Sequence, residues 1–117
     1  MRAIIQAFEW DAVGDNRGTD EVVGELVLHV GPINGPGDEL FTVHVCTIDA
    51  LAKLLHRDGM VIGRHYLFVP GINTERIEAF LNDRMRRLDG DNWRDLAQKI
   101  ARIGSWEFED YTAYREQ

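Results

Sequence analysis

Apolar and polar positions alternate with a period of two through the first half of the chain and then shift to a spacing of three and four. Residues 2–8 (Arg-Ala-Ile-Ile-Gln-Ala-Phe) predict a short strand. Glu9 to Thr19 follows as a polar loop with Asp, Asn and Gly scattered through it. Residues 21–30 are rich in β-branched side chains and predict a second strand. In residues 39–46, Phe41, Val43 and Val45 fall on one face and Thr42 and His44 on the other, the pattern of a half-buried strand. Gly31 to Gly37 holds two prolines and three glycines, which no helix or central strand tolerates, so it turns the chain between these strands into a long-looped hairpin.

Thr47 supplies a helix N-cap and Asp49 a negative charge in the first turn. Ile48, Leu51, Leu54 and Leu55 predict an apolar stripe, with Lys53, His56 and Arg57 toward the C-terminal end and Gly59 as the residue that stops the helix. Val61 to Val69 predicts a fourth strand, ended by Pro70-Gly71. Beyond it, Asn73 or Thr74 can cap a helix with a stripe of Ile77, Phe80, Leu81, Met85 and Leu88, and Gly90 closes it. A further helix from near Asp91 buries Trp93, Leu96, Ala97, Ile100 and Ile103. Ser105 to Tyr111 returns to alternation, which predicts Trp106 and Phe108 inward and Glu107, Glu109 and Tyr111 outward. The class is α+β: an antiparallel sheet of about four to five strands with two to three helices packed on one face. The 117 residues make one domain, and no internal repeat or linker divides it.

Composition narrows the class of function. Hydrophobic residues make up 44% of the chain, too many for a disordered protein and too few for a membrane one. The longest apolar run, near Tyr66 to Val69, is far from the ~20 residues that span a bilayer. The first ten residues lack the apolar run and cleavage site of a secretory signal, so a cytoplasmic location is expected. The single cysteine, Cys46, excludes an intramolecular disulfide and reads as a buried thiol. The formal charge is −7, and the excess sits at the chain ends. Residues 1–25 carry six acids against two bases, residues 26–88 seven against seven, and residues 89–117 seven against four. Direct nucleic-acid binding is disfavoured, because phosphates would be repelled. Solubility alone accounts for such a charge, as does a basic partner.

Catalytic patterns are sparse. His29 and His44 could share the more polar face of the hairpin, with Glu25 as a third group of suitable parity, but no four-ligand zinc spacing is present. His56 reads as a cation at a helix C-terminus and His65 as a half-buried strand residue. The lone serine, Ser105, lies in no nucleophile motif, and no phosphate-cradling glycine loop occurs. Asp89 with Asp91, and Glu107 with Glu109, read as solvated carboxylates whose pKa values nothing pushes apart. Arg84, Arg86 and Arg87 read as helix C-terminal cations, with an anion site as the alternative. No catalytic residue, metal or cofactor is assigned.

The segment Trp93-Arg-Asp-Leu-Ala-Gln-Lys-Ile-Ala-Arg-Ile-Gly-Ser-Trp-Glu-Phe-Glu-Asp-Tyr111 resembles the C-terminal signature of the immunity protein 8 family. Gly63-Arg-His-Tyr-Leu-Phe-Val69 and Phe41-Thr-Val-His-Val-Cys-Thr47 are similar to earlier blocks of the same family, in the same order. The ending Ile-Gly-x-Trp-Glu-Phe-Glu-Asp-Tyr is the specific part. The resemblance implies a bacterial antitoxin-like protein that binds and neutralises a cognate polymorphic toxin domain. Such toxins are commonly nucleases with basic surfaces, which an acidic inhibitor complements. Trp106 and Phe108 are expected in the core, so contacts should lie on variable loops and exposed acids. The expected partner-binding residues are Glu9, Trp10, Asp11, Asp15 and Asp20, with Glu107, Glu109 and Asp110 as a second patch. A small adaptor domain and a small metal-dependent hydrolase stay open as alternatives, and the choice between monomer and homodimer is open too.

Overall fold

In the computed structural model, which describes residues 1–11 and 23–109, the alternating segments become strands of one open sheet. The elements are β1 (Ala3–Asp11), β2 (Val23–Pro32), β3 (Glu39–Thr47), α1 (Ile48–Asp58), β4 (Tyr66–Val69), α2 (Thr74–Arg86), α3 (Trp93–Ile100) and β5 (Ser105–Trp106). The strand order is β1-β2-β3-β4, with β5 also on β3. β1 with β2 and β2 with β3 are antiparallel. The far edge of β3 is divided: β5 lies antiparallel along Phe41 and Thr42, and β4 lies parallel along His44 to Thr47.

The parallel pair departs from the expected antiparallel sheet. A helix of 11 residues, α1, carries the chain back along β3, so β4 enters in the same direction as β3. The fourth strand is also shorter than its apolar sequence predicts. The chain turns at Gly63, whose carbonyl accepts the Tyr66 N–H at 3.2 Å, and His65 stands at φ 65°, outside any strand. Met60 and Ile62, counted as apolar, are each 88% exposed in this connection.

β1 is longer than its sequence pattern, and a bulge explains why. The register with β2 slips between Ile5 and Ala7. Ala3 and Ile5 face the core before the slip, and Phe8 and Trp10 pack against it afterwards, so the inward parity changes from odd to even. A strict period of two cannot follow that change. Glu9, Trp10 and Asp11, expected in a loop, therefore belong to the strand.

The core lies on one face of the sheet, where Leu26, Leu28, Val30, Phe41, Val43 and Val45 meet Ile77, Leu81 and Met85 of α2 and Leu96, Ala97 and Ile100 of α3. α1 contributes no residue to this cluster. Of its predicted stripe, Ile48 and Leu55 are exposed, Leu51 and Leu54 are half-buried, and Ala50 is the buried residue. The helix packs on β3 outside this cluster, so its stripe is only partly covered. Phe80 likewise leaves the α2 stripe for the surface, and Phe108, expected inward, is 40% exposed because β5 ends at Trp106.

The helix ends match their sequence signals. Thr47 Oγ1 accepts the Ala50 N–H, Asn73 Oδ1 that of Arg76, and Asn92 Oδ1 that of Asp95. Gly59 closes α1 at φ 82°, donating its N–H to the Leu55 carbonyl, a conformation that suits glycine.

Candidate partner-binding surface

The strand assignment separates the three expected residues of β1 by face. Trp10 turns toward the helices: its indole N–H donates to Glu78 Oε2 at 2.8 Å, and the ring packs against the core. That bond fastens β1 to α2. Glu9 and Asp11 point to the opposite face and are exposed. Glu9 Oε1 lies 3.0 Å from His29 Nε2, and Asp38 Oδ2 lies 3.3 Å from His29 Nδ1, so both imidazole nitrogens meet a carboxylate. The Glu9 hydrogen bond raises the His29 pKa above its ordinary value, opposed by partial burial and helped by Asp38. Asp11 stands opposite Glu25 across the β1–β2 ladder.

The second expected patch is partly engaged within the molecule. The Glu107 carboxylate accepts the Leu40 N–H, and the Glu107 N–H donates to the Leu40 carbonyl at 3.0 Å. Glu109 pairs with Arg64, and its N–H donates to the Trp106 carbonyl. Leu40 is the cross-strand neighbour of His29, so Glu107 borders the rung that holds His29, while Glu9 stands on the rung of Val27 and reaches His29 through its side chain. Asp15, Asp20 and Asp110 lie outside the described residues.

The other chemistry raised by the sequence resolves into structural roles. His44 stands opposite Glu25, but His29 stands opposite Leu40, so the two histidines do not share a rung. Among the described residues no group of three His, Cys, Asp or Glu side chains is placed to hold a metal ion. His65 Nε2 is 2.6 Å from the Ala101 carbonyl, which can only accept, so this nitrogen carries the proton. Cys46 is fully buried, and burial pushes its thiol pKa up, away from nucleophilic use. Arg86 and Arg87 both pair with Asp83, at 3.2 and 2.7 Å, and Arg84 lies 5.1 Å from the centre of the Phe80 ring.

One functional group escaped the sequence reading. Glu39 Oε1 accepts the indole N–H of Trp93 at 2.8 Å and that of Trp106 at 2.9 Å. All three tryptophans thus donate to carboxylates. The available signal was parity: Glu39 shares the face of Phe41 and Val43, and an acid on a core face requires donors. Trp106 also stacks on Phe41, with centroids 6.3 Å apart, so the tryptophan of the C-terminal motif is a fastening of the fold.

Taken with the fold, this defines a small acidic α+β domain whose exposed carboxylates stand on a strand face and along its rim. The family model for Immunity protein 8 matches residues 15–111, and the chain belongs to that family. It is thereby an immunity protein of toxin systems. No curated protein and no solved structure matches it. Among the described residues, no helix is long and apolar enough to cross a membrane.

Proposed function

We propose that this chain binds and neutralises a cognate toxin domain, a nuclease with a basic surface, and that it does so in the cytoplasm without a cofactor. The observation that carries the reading is family membership across residues 15–111. The charge supports the finer part. A net −7, with the surplus in residues 1–25 and 89–117, complements a surface built to hold phosphates. Carboxylates occupying that surface exclude the substrate by competing for the same cations. The acids proposed to make these contacts are Glu9, Asp11, Asp15 and Asp20, with Glu107, Glu109 and Asp110 as a second patch, while Trp10 holds β1 to α2. Opposed potentials raise association toward ~10⁸–10⁹ M⁻¹s⁻¹ at low salt, which suits a target that damages its host quickly.

The test is survival of a bacterial host expressing the toxin domain encoded beside this gene, with and without this protein. Rescue specific to that toxin supports the reading. Toxicity that persists with both proteins soluble refutes it. Stopped-flow association across a salt series checks the electrostatic part, and a rate independent of salt refutes that part alone.

A further inference from the structure

α2 and α3 pack on the face of Leu26, Leu28, Phe41 and Val43. The opposite face of the sheet carries Glu9, Asp11, Glu25, His29, His44, Tyr66 and Phe68, each exposed or half-buried, while Cys46, opposite Phe68 at the end of this face nearest α1, is fully buried. The register orders part of this face into a single row. Asp11 stands opposite Glu25, Glu25 opposite His44, and His44 opposite Tyr66. At a strand spacing of ~4.8 Å, the row crosses four strands in ~14 Å.

Its two halves differ in chemistry. On the β1 side, two carboxylates face each other across an antiparallel ladder, an arrangement that costs stability. Among the described residues no ion pair is formed by Asp11 or Glu25. On the β4 side, the rings of His44 and Tyr66 lie 5.3 Å apart and those of Tyr66 and Phe68 5.6 Å apart, the latter pair stacked. Phe68 remains 46% exposed. Arg57, at the end of α1, is held by Asp58 at 2.7 and 2.8 Å, so among the described residues it forms no pair with the acids of the row. Stacked, half-exposed rings with a polar edge are the side chains that anchor protein interfaces. Carboxylates beside them, with no ion pair among the described residues, favour a cationic partner and repel nucleic acid.

We infer that this row is the centre of the surface that seats the toxin. Asp11 and Glu25 pair with Arg or Lys side chains of the toxin, and Tyr66 and Phe68 take an adjacent apolar or guanidinium group. The inference rests on the proposed function and adds to it Glu25, His44, Tyr66 and Phe68, which lie on β2, β3 and β4.

The experiment measures binding of the full chain to the toxin domain encoded beside this gene, by calorimetry, together with thermal melting of each variant. The paired substitution Asp11→Asn with Glu25→Gln is expected to weaken binding ~10-fold or more. It should leave the melting temperature unchanged or higher, because the facing charges are gone. Phe68→Ala is expected to weaken binding by a similar factor. A control pair on the helical side, Glu75→Gln with Asp89→Asn, removes the same charge and should keep wild-type affinity. Opposite movement of binding and stability in the row variant supports the inference. Tight wild-type binding with row variants within about threefold of it overturns the row alone, as does an equal loss in the control, which marks a long-range charge effect. A row variant that fails to fold overturns it too, because the facing acids then support the structure. A wild-type protein that does not bind the toxin removes the proposed function and the row together.

Discussion

Replacing Glu39 with alanine removes the acceptor of two indole N–H groups at once, those of Trp93 and Trp106. A hydrogen bond to a charged group contributes ~1.5–3 kcal/mol net, so two set a range of ~3–6 kcal/mol. Glu39 and both tryptophans are half-buried, and water entering the gap recovers part of that. The expected loss is therefore ~2–4 kcal/mol, against a total of ~5–15 kcal/mol for a domain of this kind. At about 4 °C per kcal/mol, the melting temperature should fall by ~8–16 °C. Glu39→Gln keeps an acceptor oxygen and loses the charge, so its cost should be ~1–2 kcal/mol. Urea unfolding followed by circular dichroism measures both, and the slope against urea should not change. The decisive comparison uses Trp93→Phe with Trp106→Phe as background. There Glu39 is a half-buried carboxylate without its donors, so Glu39→Ala should be neutral or stabilising. An equal cost of Glu39→Ala in both backgrounds would refute the assignment of its role to the two indoles.

Three further outcomes follow from the local geometry. Thr47→Ala removes a fully buried N-cap oxygen from the Ala50 N–H and should cost ~1–2 kcal/mol in urea unfolding. Gly59→Ala is strained at φ 82° but meets open space, and should cost ~1 kcal/mol; Gly90→Ala puts a Cβ 2.7 Å from the Leu96 nitrogen and should cost more, ~1–3 kcal/mol, so thermal melts that reverse this order contradict the packing described here. His29 has a raised pKa, so its contribution to stability is fully present below the unfolded value near 6.5 and is lost as pH rises through the higher folded value. Chemical unfolding from about pH 6 to 8 should show that decline in the wild type and its absence in His29→Gln.

The elements that sequence resolved are those whose signal is local. Thr47, Asn73 and Asn92 each carry their cap in the residue itself, and the apolar periods of α2 and α3 survive packing because the sheet face is wide enough to bury Ile77, Leu81, Met85, Leu96 and Ile100. What was hidden is relational. The bulge after Ile5 reverses parity inside a strand, so Trp10 read as a loop residue and not as the partner of Glu78. The direction of β4 depends on the path of α1, which no alternation records. The candidate surface shows the same division. Exposed acids such as Glu9 and Asp11 could be named from composition and pattern. That Glu9 is bound to His29, that Glu109 is bound to Arg64, and that Asp11 faces Glu25 are facts of register between segments distant in sequence.

The division of the far edge of β3 between β4 and β5 sets an order of assembly. Phe41 and Thr42 wait for Ser105 and Trp106, more than 60 positions later, before their outer side is paired. Closing so long a loop is slow, and an open strand edge is adhesive in the meantime. During synthesis, the hairpin of β2 and β3 is complete long before the segment that seals it leaves the ribosome. Glu39 sits where that segment lands, offering one oxygen to a tryptophan on each side of the last turn. The two indoles thus act as a late latch. A chain interrupted ahead of Ser105 would keep its hairpin while leaving half of that edge open, prone to pairing with other nascent copies and less available for protection.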